Sequence, residues 1–241
     1  MLGSLFITLR EGFEAALMVG IVLAYLRQSG ASDRARHVWA GVGVAALASV
    51  AMGGVIFAAG GELKGSSEKL YEATAMLLAA GVLTWMIFWM QRQARGLGGA
   101  LRQRVSDALV MGGGALFWLA FVSVGREGFE TSLFMYAATG TASPASTLAG
   151  GVIGLAVAVV LGVLVYKGAA HLNLGTFFKV TSVLVLAFAA YLIASAMHEL
   201  GELAGNDALE SGAYLIALLY VVGAVWAYLR PPAVLARALG E

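Results

Sequence analysis

The sequence predicts an all-α polytopic membrane protein, with seven transmembrane helices forming an inverted repeat of three plus three and one helix added after them. Three observations predict this class. Hydrophobic residues make up 60% of the 241-residue chain and charged ones only 12%, against about 25% charged in soluble domains, which leaves no composition for a separate soluble domain. Apolar runs of about 20 residues recur along the whole length, each long enough to cross a hydrocarbon core of about 30 Å. One charged pentapeptide occurs twice inside such runs, as Arg10-Glu11-Gly12-Phe13-Glu14 and as Arg126-Glu127-Gly128-Phe129-Glu130.

Hydropathy puts the spans at about 2–26, 38–60, 70–91, 109–137, 147–167, 174–199 and 211–229. The first span lacks a basic leader and a small-residue cleavage site, and its first charge is Arg10, so it reads as a retained helix and not a signal peptide. Arg27, Arg34 and Arg36 separate it from the second. The third opens with Glu68, Lys69 and Glu72, following Glu62 and Lys64, and closes on Arg92 and Arg95. Arg102 and Arg104 precede the fourth, which carries the second pentapeptide. Gly150 and Gly154 in the fifth, and the run Gly112-Gly113-Gly114, are expected to serve packing. Lys167 ends the fifth span, and Lys179, one turn into the sixth, is expected to snorkel. Pro231-Pro232 stops the seventh.

Basic residues thus gather on alternate connections and in the tail, at Arg230 and Arg237, while the others are acidic or poor in arginine, as with Glu202, Asp207 and Glu210. By the positive-inside rule the N-terminus is outside and the C-terminus in the cytoplasm. The first and fourth spans then run in opposite directions while sharing one pentapeptide, which is the pattern of an inverted duplication with a midplane site, as in secondary transporters. The units expected are a first three-helix repeat at 1–91, a cytoplasmic linker at 92–108, a second repeat at 109–200, and a seventh helix with its tail at 201–241. Thr74 with Thr181 and Met90 with Met197 correspond when the third and sixth spans are laid together.

Intramembrane charges cost about 2.5–3.5 kcal/mol each on insertion scales, and they face bundle interiors or polar cavities. Within each motif the glutamates are three residues apart, on one helix face, and the arginine stands four residues before the second glutamate. Two motifs meeting at the midplane bring four carboxylates and two guanidinium groups, a formal sum of −2 that invites a cation. Oxygen donors without sulfur suit a hard or borderline ion such as iron, manganese or magnesium. The motif glycines are expected to let the first and fourth helices approach closely. A purely structural ion-pair network is the alternative, and the excess of carboxylate over arginine speaks against it. No cysteine is present, and His37, His171 and His198 lie away from the midplane, which argues against thiolate and imidazole metal sites. The net charge of +1 points to no polyanionic partner, and the basic residues are scattered, so no nucleic-acid partner is expected.

A second acidic group, Glu199 and Glu202 with Glu68 and Glu72, lies at the predicted outer face. It reads either as a solvated helix end or as a site that gathers cations at the pore mouth. The doubled Arg-Glu-Gly-x-Glu motif on the first and fourth of seven helices closely resembles the oxidase-dependent iron permease family, over essentially the whole chain. The resemblance implies a high-affinity permease in the cytoplasmic membrane moving ferric or ferrous iron inward, with Glu11, Glu14, Glu127 and Glu130 as transport-site carboxylates. Arg10 and Arg126 are expected to support them. It also implies that Glu199 and Glu202 form the family's outer Glu-x-x-Glu element. Iron is then substrate and no cofactor is expected. A separate extracytoplasmic oxidase or periplasmic iron-binding protein is the expected partner.

Two other classes compete. A proton-coupled carrier of another divalent metal or an organic cation would use the glutamates as proton acceptors, but needs fewer of them. A di-iron membrane enzyme would need Glu-x-x-His pairs, and none occurs; His198-Glu199 lacks the second histidine of a zinc protease motif, because Glu202 stands there. No enzymatic activity is expected.

Overall fold

The computed structural model describes residues 1–61, 65–93, 97–167 and 173–230. Glu62, Lys64, Arg95, His171, Pro231, Pro232 and Arg237 lie outside the described residues, as do the side chains of Arg92, Arg102, Asp207 and Glu210. Among the described residues the chain is all-helical, with eight α-helices and no strand. They are α1 (Leu2–Gln28), α2 (Ala35–Gly61), α3 (Ser66–Gln93), α4 (Leu97–Met111), α5 (Gly113–Thr139), α6 (Pro144–Tyr166), α7 (Leu174–Ala204) and α8 (Asp207–Leu229).

Five of the helical segments are long and apolar enough to cross a membrane: Ser32–Ala59, Ser66–Gln91, Pro144–Tyr166, Gly175–Ala204 and Ser211–Leu229. The two 27-residue helices α1 and α5 are of comparable length, but each carries the Arg, Glu and Glu of one pentapeptide. The stretch 92–108, expected as a linker, contains most of α4, and the following helix begins at Gly113 and not near 109. Gly112 causes the break, because its φ of 104° is open to glycine and costly for other residues. Other ends are capped by side chains. Ser143 accepts a hydrogen bond from the Ser146 amide ahead of Pro144, and Asn173 Oδ1 accepts one from the Thr176 amide at 3.1 Å. At the far end of α7, Gly205 turns left-handed, and the amides of Gly205 and Asn206 return to the carbonyls of Glu202 and Gly201 in a Schellman motif.

Small residues set the packing. Along α1 and α6 the contacts advance together, with Gly150 against Met1 and Ser4, Gly154 against Leu5 and Thr8, Gly12 against Leu155 and Ala158, and Gly162 against Ala16. These two helices are therefore parallel, in van der Waals contact through glycine, as expected where lipid supplies no hydrophobic drive for association. The α2–α5 pair is parallel in the same way: His37 meets Gly113, Gly41 meets the Phe117 carbonyl, Ser49 meets Gly128, and the Phe57 and Tyr136 rings stand 5.3 Å apart. Gly150 and Gly154 serve packing, as does Gly113. The start of α3 meets the end of α7, where Lys69 reaches Glu199 and Glu202. The last helix runs parallel to α3, tied by a Thr84–Tyr220 hydroxyl pair at 2.5 Å and by Gln91 Nε2 donating to the Tyr228 carbonyl at 2.6 Å. A core of Met76, Leu83, Met86 and Ile87 from α3, with Leu186 and Leu192 from α7, closes around Ile7 and Phe134. The outward faces of α2 and α6 carry exposed Leu and Val, Val50 at 75% among them.

Candidate metal site at mid-depth

The two pentapeptides sit near the middle of their 27-residue helices, their central glycines roughly 15–24 Å from the helix ends at 1.5 Å rise per residue. On α1 the three-residue spacing aims Glu11 and Glu14 at α5, and α5 returns Glu127 and Glu130. Carboxylate oxygens of Glu11, Glu14 and Glu127 all lie within 4.8 Å of one another. Glu130 is buried beside them, close enough for its charge to act on Glu11 and Glu14. All four are buried, Glu11 completely.

The arginines divide the carboxylates unequally. Arg10, 1% exposed, holds Glu11 Oε1 at 2.9 Å through Nη1 and Glu14 Oε1 at 3.1 Å through Nη2. Arg126 donates through Nε to Glu130 Oε1 at 2.9 Å and stands 4.0 Å from Glu127, but it is 40% exposed and lies over the Trp89 ring at 4.9 Å. Even so, Glu11 Oε2, Glu127 Oε2 and Glu130 Oε2 are buried with no hydrogen-bond partner. An unpaired buried carboxylate oxygen is costly, and a carboxylate cluster left with such oxygens suits a hard or borderline cation.

The motif glycines do not bring α1 and α5 together. Gly12 faces Leu155 and Ala158 of α6, and Gly128 faces Ser49 of α2. At about 100° per residue the position after the first glutamate turns away from the carboxylate face, so it meets the parallel neighbour. Phe13, fully buried, packs edge-on against Phe177 at 4.6 Å, whereas Phe129 is 49% exposed.

Glu199 and Glu202 are separate from this cluster. They belong to a surface group at the end of α7, where Lys69 Nζ is 3.6 Å from Glu199 and pairs with Glu202, and His198 Nε2 is 3.4 Å from Glu202. The group is therefore partly neutralised, not bare acid. Lys179 is exposed. Among the described residues the sequence reading missed three side chains at the central site, Met86, Met90 and Trp89, all on α3. Their i, i+3 and i+4 spacing was visible, but nothing in the chain ties α3 to the pentapeptides.

Several apolar helices long enough to cross a membrane, packed around a buried carboxylate cluster, define a multi-pass membrane permease. The sequence agrees. The family model described as the iron permease FTR1 family matches residues 1–219, and the chain belongs to that family. It is 40% identical over 201 residues to the ferrous iron permease EfeU of Escherichia coli O157:H7, covering 81% of this chain and 73% of the relative. It is 35% identical over 201 residues to the ferrous iron permease EfeU of Yersinia pestis, covering 81% and 71%. An uncharacterized protein of Archaeoglobus fulgidus is 39% identical over 210 residues, covering 87% and 74%. No solved structure matches the chain.

Proposed function

We propose that this protein is an iron permease of the cytoplasmic membrane that moves iron inward through the cluster of Glu11, Glu14, Glu127 and Glu130. The observation that carries the reading is the meeting of three buried carboxylates from two helices within 4.8 Å, with buried oxygens left unpaired. A structural ion-pair network would match each acid to a base. Here four acids face two arginines, one of them 40% exposed. The family and the relatives named ferrous iron permease support iron as the ion.

Seven helices cross the membrane in this reading, namely α1, α2, α3, α5, α6, α7 and α8, with α4 part of the cytoplasmic connection between a first repeat in 1–91 and a second in 109–200. Exchange symmetry in the contacts supports the inverted repeat. The first helix of each half runs parallel to the second helix of the other, α1 with α6 and α5 with α2, and each motif glycine faces that same neighbour. The third helices, α3 and α7, meet start to end. The arginine-rich connections face the cytoplasm, so the N-terminus is outside. The Glu199 and Glu202 group then lies at the entrance, where an extracytoplasmic oxidase or periplasmic iron-binding protein would hand over iron.

The test is uptake into proteoliposomes with ferrous, ferric and manganese ions, for the native protein and for Glu11→Gln, Glu14→Gln, Glu127→Gln and Glu130→Gln. Iron uptake by the native protein that each substitution depresses is the expected result. Normal transport by the glutamine variants returns the motif to architecture.

A further inference from the structure

The head of Arg10 is ringed by two kinds of donor. Nη1 lies 2.9 Å from Glu11 Oε1 and 3.6 Å from Met86 Sδ, and Nη2 lies 3.1 Å from Glu14 Oε1 and 2.9 Å from Met90 Sδ. Two carboxylate oxygens and two thioether sulfurs thus converge on one buried cationic group. Met86 is fully buried, and Met86 and Met90 share one face of α3 at i, i+4. A thioether is a weak hydrogen-bond acceptor, and leucine would fill the same volume at little cost. Packing or arginine binding alone gives no reason for sulfur at both positions.

We propose that Met86 and Met90 are ligand residues of the transport site, adding two thioether sulfurs to the carboxylates of Glu11 and Glu14, with which they share Arg10 in the empty protein. The inference rests on the carboxylate-site reading above. Carboxylates alone accept magnesium and calcium, which take oxygen ligands almost entirely. Two sulfurs make the site poorer for those ions and better for borderline and soft ones. The same donors favour ferrous over ferric iron, since the ferric ion is the harder of the two.

The experiment is metal binding to the purified full-length protein in detergent, with cadmium as the soft probe and manganese as the hard one. It compares the native chain, the Met86→Leu/Met90→Leu double variant, and Glu14→Gln. X-ray absorption at the cadmium edge is recorded on the native protein. The ratio of cadmium to manganese affinity is expected to fall about tenfold or more in the double variant, the change that 1.4 kcal/mol gives, and the native spectrum is expected to contain a sulfur shell. An unchanged ratio, or a cadmium site with oxygen neighbours only, overturns the thioether assignment, and the native spectrum decides even if the double variant fails to fold. If Glu14→Gln binds both metals as the native protein does, the carboxylate reading itself fails, a result distinct from failure of the sulfurs.

Discussion

Arg10 and Arg126 carry the same letters in the sequence and different burdens in the fold. Arg10 is 1% exposed, with carboxylates and thioethers on all sides; Arg126 is 40% exposed beside Trp89. Removing Arg10 leaves Glu11 and Glu14 buried without their base, and breaking such a pair costs about 3–5 kcal/mol. Arg126→Ala uncovers a half-open pair, for which about 1 kcal/mol or less is the scale. Thermal unfolding in detergent is therefore expected to drop steeply for Arg10→Ala and slightly for Arg126→Ala. Equal losses would show that the second motif is as desolvated as the first. The chemistry of these residues was legible beforehand, because three charges in an apolar run have few uses. Their inequality was not: it depends on α3, which passes Met86 and Met90 to one arginine and Trp89 to the other, and no local pattern encodes that choice.

At the level of helices, glycine decides which neighbours touch. A side chain at Gly154 would run into Thr8 Oγ1 and the backbone of Leu5 and Leu9, whereas one at Gly54 meets nothing within 4 Å. Gly154→Val is expected to lose about 1–3 kcal/mol, the usual penalty of overpacking, and Gly54→Val to leave the unfolding temperature within a few degrees. The helix list itself was readable from hydropathy to within a few residues at most ends. The exceptions are instructive: α4 is short and mixed in polarity, so it gave no apolar run, and the break at Gly112 depends on a backbone angle. Lys69 illustrates the same limit. It stood in the sequence as an ordinary connection charge, and only the meeting of α3 with α7 turns it into the partner of Glu199 and Glu202. If that group gathers cations, Lys69→Gln is expected to lower the apparent KM for metal uptake, and Glu199→Gln with Glu202→Gln to raise it. Both effects should shrink as salt is added, since charges are screened within about 10 Å at 0.1 M. Insensitivity of KM to all three makes the group a solvated helix end.

For the molecule as a whole, the parallel pairs α1–α6 and α2–α5 constrain topology. A short connection joins α1 to α2 and another joins α5 to α6. If each connection reverses the chain, α1 and α5 must point in opposite directions, and the two pentapeptides then approach one midplane from opposite sides. That is the geometry by which one duplicated motif can build a single site reachable from either face by rocking one half against the other. The absence of cysteine from the sequence makes the test direct. Ser29, after α1, and Ser143, before α6, are both exposed, so Ser29→Cys and Ser143→Cys each introduce one reactive thiol. In sealed, oriented vesicles, a membrane-impermeant maleimide is expected to label Ser29→Cys only from the cytoplasmic side and Ser143→Cys only from the other. Labelling of both from one side would make α1 and α5 parallel. The two motifs would then be related by an axis along the membrane normal, and the inverted repeat would have to be abandoned while the carboxylate cluster stood unchanged.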